Sequence, residues 1–100
     1  MSDMTIAKEI LRQLGGNRFI TMTGARNFSA DDNSLSFQVP RIRGVRGVTI
    51  TLTGDDLYTM EFFKLDKKAP YQHLIHAESG LFCDMLQETF TDITGLYTHL

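Results

Sequence analysis

One cysteine, Cys83, stands in the whole chain. No internal disulfide can brace it, and such sparing cysteine use points to a reducing setting. Apolar residues never run more than three in a row, far short of the about 20 that cross a bilayer. The start, Met1-Ser2-Asp3-Met4, has no basic segment and no long apolar stretch. No secretory leader is expected, and the expected location is the cytoplasm. Internal repeats, low-complexity tracts and linkers are missing too, so residues 1–100 read as one domain. The glycines do not form a phosphate-binding loop. Gly15-Gly16 and Gly44-Val45-Arg46-Gly47 lack the spacing, and neither joins a strand to the start of a helix. No serine sits in a nucleophile-elbow context.

What the chain does have is alternation. Leu35, Phe37 and Val39 interleave with Ser34, Ser36 and Gln38; Val48, Ile50 and Leu52 interleave with Thr49, Thr51 and Thr53. Successive side chains of a strand point to opposite faces, so each run makes one apolar and one polar face. The expected fold is α+β: a four- or five-stranded, mostly antiparallel sheet with N- and C-terminal helices packed on one face, in the order α-β-β-β-β-(β)-α.

The elements follow in turn. A first helix is expected over Met4–Leu14, with Ile6, Ile10, Leu11 and Leu14 on one stripe, Asp3 as N-cap and Gly15-Gly16 as the stop. Strands are expected at Arg18–Thr23, at Ser34–Val39 (stopped by Pro40), at Val48–Thr53 and at Leu57–Leu65. Residues 25–33 read as a polar connection, Arg41–Gly47 as a loop, and Gly54-Asp55-Asp56 as a tight hairpin turn. Leu57–Leu65 is apolar on both faces, which suits a central strand or one with a bulge. After the polar turn Asp66–Pro70, a short fifth strand is expected at Tyr71–Ala77. The second helix is read from Gly80 or Leu81 to Thr94. Leu81, Phe82, Met85, Leu86, Phe90 and Ile93 form its stripe, Ser79 its N-cap and Gly95 its left-handed C-terminal cap.

Reactive groupings are sparse. His73, His76 and Cys83 have neither strand-compatible spacing nor a fourth ligand, so no metal site is expected. Cys83 reads as a half-buried structural cysteine, with a thiol activated by a helix N-terminus as the alternative. Asp31-Asp32 and Asp55-Asp56 lie in turn sequences, where Asp bonds its own backbone. With no convergent ionisable cluster, the sequence offers no catalytic residues and no cofactor site.

Charge is uneven. Residues 1–50 hold seven Lys/Arg and four Asp/Glu, whereas residues 51–100 hold three and eight. Arg41, Arg43 and Arg46 fall within one short stretch, and Arg18 and Arg26 are candidates to extend their surface. Guanidinium forks suit phosphate or carboxylate. Against nucleic acid stand the net charge of −2 and a polar sheet face of Thr and Ser in place of stacking aromatics. Glu78, Asp84, Glu88 and Asp92 make an acidic row that could meet a basic protein, though a solvated helix face explains it more simply.

The stretch Leu14-Gly15-Gly16-Asn17-Arg18-Phe19-Ile20-Thr21-Met22-Thr23-Gly24-Ala25-Arg26-Asn27-Phe28 resembles a group of small bacteriophage and prophage proteins of unknown function. Asp56-Leu57-Tyr58 and Thr94-Gly95-Leu96-Tyr97-Thr98-His99-Leu100 extend the likeness over nearly the whole length. The shared motifs are caps, turns and core positions. The resemblance implies production inside an infected or lysogenic bacterium. The leading expectation is a non-enzymatic accessory protein that binds a host or phage protein. Self-association is a further expectation, because the strand 57–65 and the tail Leu96, Tyr97 and Leu100 offer spare apolar surface. The alternative is a nucleic-acid-binding module using the arginine-rich segment 41–46. No membrane association is expected.

Overall fold

Gly15 and Gly16 shape the first corner of the chain. In the computed structural model, which describes residues 5–42, 44–54, 56–65 and 72–96, α1 (Thr5–Leu14) ends in a Schellman arrangement. The Gly16 N–H donates to the Leu11 carbonyl at 2.9 Å and the Gly15 N–H to Arg12 at 3.1 Å. Both glycines have positive φ, at 125° and 61°. The chain then re-enters helix at once, with the Ile20 N–H bonded to the Gly16 carbonyl at 3.2 Å. The expected Asp3 cap and the Met4 start lie outside the described residues.

The segment read as a first strand is therefore a helix, α2 (Asn17–Thr23). The alternation there was thin, resting on Ile20 and Met22. What prevails is the four-residue spacing of Phe19 and Thr23, the two side chains that α2 buries. Thr23 Oγ1 donates to the Phe19 carbonyl at 2.7 Å and accepts the Ala25 N–H at 3.2 Å. Gly24, left-handed at φ 73°, closes the helix with its N–H on the Ile20 carbonyl. The end of the last helix, α3 (Leu86–Thr94), repeats this device. Thr94 Oγ1 donates to the Phe90 carbonyl, the Leu96 N–H donates to Thr94 Oγ1, and Gly95 is left-handed. The sequences Phe19-x-x-x-Thr23-Gly24 and Phe90-x-x-x-Thr94-Gly95 thus end two helices alike, burying a phenylalanine and satisfying a buried threonine each time.

Between them runs a five-stranded antiparallel sheet in chain order: β1 (Arg26–Ala30), β2 (Ser34–Ile42), β3 (Val45–Leu52), β4 (Tyr58–Leu65) and β5 (Gln72–Leu81). β1 replaces the expected polar connection. It is short, exposed and irregular between Arg26 and Ser29, so it carries no apolar alternation to read. β2 continues past Pro40, where a strand stop was expected. Its pairing with β3 shifts register between Gln38 and Ile42, and a residue without an N–H is tolerated at such an irregularity. Of the expected loop 41–47, Arg41 and Ile42 belong to β2 and Val45, Arg46 and Gly47 to β3, while Arg43 lies outside the described residues. β4 lies between β3 and β5, as its two apolar faces suggested. The turn 66–70 and Tyr71 lie outside the described residues.

The second helix is shorter than its apolar stripe implied. Residues up to Leu81 belong to β5, Ser79 caps nothing, and Cys83–Met85 form a single 3₁₀ turn before α3. Leu81–Met85 is a short apolar run that helix and strand patterns describe equally well. The structure divides it: Leu81 and Leu86 are buried, while Phe82 and Met85 are exposed.

One core unites these parts. The rows Phe37↔Val48↔Phe62 and Leu35↔Ile50↔Met60 cross the sheet on the helix side. Phe19 from α2, Phe37 from β2 and Phe90 from α3 meet over them. Edge-to-face contacts join Phe19 to Phe37 at 5.3 Å and to Phe90 at 5.2 Å. The other face carries Ser36↔Thr49↔Glu61, with the Ser36 and Thr49 hydroxyls 3.0 Å apart. Gln87 of α3 donates to the Leu14 carbonyl at 2.8 Å, tying the end of α1 to the last helix. Among the described residues no helix is long and apolar enough to cross a membrane.

Glu9 on α1 sets an acid limit. Hydrogen bonds from Arg12 and then Gln13 hold its carboxyl down at about 2, against an ordinary value of 4.5. A depressed carboxylate adds stability above its unfolded pKa, and that stability is lost as pH falls through the folded value. Glu9→Gln is expected to flatten the pH dependence of the urea midpoint between 4.5 and about 2. An unchanged slope would remove the role assigned to this cluster.

Candidate functional site

The arginines singled out in the sequence spread over three parts of the fold. Arg18 is exposed on α2 and lines a shallow depression of about 430 Å³ with Asn17, Thr21 and Met22. Arg26 opens β1, opposite Gln38, which in turn faces Gly47. Arg41 contributes backbone to β2 and Arg46 lies on β3. Arg43 and the Arg41 side chain lie outside the described residues. Arg46 is half-buried, and its Nε is buried without a hydrogen-bond partner.

His73 and His76 both lie on β5, and Cys83 follows the strand's end. His76 pairs with Phe62 on the helix side and is hydrogen-bonded to Glu78 Oε1 at 2.7 Å. Among the described residues no three His, Cys, Asp or Glu side chains come together as a metal would require. Cys83 is exposed, which corrects its reading as a half-buried core residue: it opens the 3₁₀ turn instead of lying one turn into a helix. It is expected to react with a thiol reagent in the folded chain about as fast as in urea. Strong protection would contradict the placement.

The acidic side chains are dispersed as well. Asp31 and Asp32 are exposed in the β1–β2 turn, where the Asp31 N–H bonds the Ser34 carbonyl at 3.0 Å. Asp56 is left-handed at φ 60° in the β3–β4 turn, and Asp55 lies outside the described residues. Asp84, Glu88 and Asp92 face solvent on the 3₁₀ turn and α3, whereas Glu78 belongs to β5.

A different surface stands out. Of the five large apolar side chains exposed among the described residues, four fall between residues 74 and 85: Leu74, Ile75, Phe82 and Met85. Leu74 is 54% exposed and Ile75 41%, both on the outermost strand. Leu74 pairs with Phe63 on the face away from the helices, and the register shift beside it makes Ile75 an extra, bulged residue. A smaller apolar groove of about 180 Å³ lies between α1 and β1, lined by Ala7, Leu11, Phe28 and Leu35 with Lys8 at its rim. The sequence concealed the exposure of Phe82 and Met85 because both matched a buried helical stripe.

These features define an α+β protein built on an antiparallel five-stranded meander, with four of the five exposed large apolar side chains of the described residues on β5 or just after it. No protein-family model, curated protein or solved structure matches the chain.

Proposed function

We propose that this is a non-enzymatic accessory protein of the phage type, working in the cytoplasm of a bacterial host by binding a macromolecular partner, a protein. One observation carries the reading: large apolar side chains stay in water at β5 and the turn after it, where nothing in the sheet needs them. Adjacent exposed apolar residues such as Leu74 and Ile75 mark interaction surfaces more often than isolated ones do. The Leu74→Ser, Ile75→Ser double variant tests it, since both side chains are already largely exposed and folding should tolerate the change. Tagged wild-type chain is expected to retain a specific host or phage protein, and the double variant to lose it with an unaltered melting curve. Equal retention by both would overturn the reading.

Nucleic-acid binding through the arginine-rich segment 41–46 is the second reading. It is favoured by the clustering of Arg41, Arg43 and Arg46 within six residues. It requires retention on DNA or RNA that falls steeply with salt and disappears when Arg41, Arg43 and Arg46 are replaced by alanine. Salt-insensitive or absent retention would exclude it.

A further inference from the structure

We propose that two copies of this chain join by antiparallel pairing of their β5 edges, in the register that sets Ala77 opposite its own copy. The inference goes beyond the functional reading above, which needs only a different protein partner. It begins from the contrast between the two sheet edges. β1 has five residues and carries Arg26, and shortness and a basic side chain are two devices by which an edge avoids pairing. β5 has ten residues and neither Lys, Arg, Pro nor Asp; its single formal charge is Glu78. Among the described residues no strand pairs with its outer side.

The register follows from faces and charge. Shifts beside Ile75 and between Glu78 and Leu81, where Gly80 has φ 69°, bracket the regular run His76-Ala77-Glu78. His76 pairs with Phe62 and Glu78 with Met60 on the helix side, whereas Ala77 pairs with Glu61 on the open side. Directly opposed residues in an antiparallel ladder share a face, so a two-fold pairing must set a residue opposite its own copy. Centring on His76 opposes two imidazoles, and centring on Glu78 opposes two carboxylates. Centring on Ala77 alone sets each His76 against the partner's Glu78, twice, with a small exposed residue at the middle. It also brings the bulky Ile75 toward the partner's Ser79 and Gly80. The product is one continuous sheet with all helices on one side and both copies of Leu74 on the other.

Sedimentation velocity on the full chain, over a wide dilution series, tests this. A reversible dimer is expected. Ala77→Lys sets two ammonium groups face to face at an exposed position and should weaken association about tenfold, with unchanged circular dichroism. His76→Glu should weaken it as well, by opposing like charges. The double variant His76→Glu, Glu78→His should restore wild-type association, a rescue that only this register produces. A wild-type chain that stays monomeric at every concentration overturns the proposal. So does a dimer indifferent to Ala77→Lys, or one that the exchange fails to rescue. A monomer that still loses its captured protein in the Leu74→Ser, Ile75→Ser variant sinks the dimer and leaves the functional reading standing. A dimer that captures nothing does the reverse.

Discussion

Replacing Phe90 with alanine is expected to cost about 3–5 kcal/mol, read from urea unfolding, which approaches the whole stability of many small domains. Phe90 is fully buried and stands edge-to-face with Phe19 while tilted against Phe37 at 6.2 Å. Truncation removes the transfer free energy of a ring and opens a cavity. It also removes two aromatic contacts worth about 0.5–1.5 kcal/mol each. The surrounding rings come from α2 and β2, and these two separate elements cannot close on the gap together. Phe82→Ala is the matching control. Phe82 is 60% exposed, so its loss should stay within about 0.5 kcal/mol. In the sequence both phenylalanines belonged to one apolar stripe, so comparable losses in the two variants would contradict the division of that stripe between strand, turn and helix.

Gly24→Ala is expected to be the next most damaging substitution, at about 1–3 kcal/mol. Two costs combine. The residue is left-handed at φ 73°, a conformation that any Cβ opposes. The added Cβ would also lie 3.0 Å from Pro40 Cγ and 3.4 Å from Cδ, so the end of α2 and the irregular part of β2 would have to separate slightly. Pro40→Ala in the Gly24→Ala background isolates the second cost, because it removes the ring atoms that the new Cβ would meet. The double variant should lose less than the sum of the two single losses, and strict additivity would show that Pro40 yields without penalty.

The parts of this fold that the sequence disclosed are those that bury a face. β2, β3 and β4 announced themselves because one side of each packs under the helices, and Gly95 marked the end of α3 through its left-handed backbone. β1 was invisible for the opposite reason: an exposed edge strand has no side that must be apolar. α2 was misread because its helical signal is one buried pair, Phe19 and Thr23, set among β-branched residues that suit a strand locally. The Gly15-Gly16 corner decided the matter, since the Gly16 carbonyl accepts the first hydrogen bond of the next helix as soon as the first one ends. The arginine-rich segment was legible as composition only. Pairing of Ile42 with Val45 drew its two ends into β2 and β3 and half-buried Arg46, which no local pattern encodes. The exposure of Phe82 and Met85 was hidden because five residues from Leu81 to Met85 fit two periodicities, and tertiary packing chose between them.

Phe90 follows all five strands in the chain. A ribosome therefore delivers the entire meander before the ring that seals its apolar side. In that interval Phe19 and Phe37 face water, and the outermost strand stands open beside them. The apolar side of the sheet is then open to premature pairing between neighbouring chains on a polysome, a hazard that ends when the last helix packs.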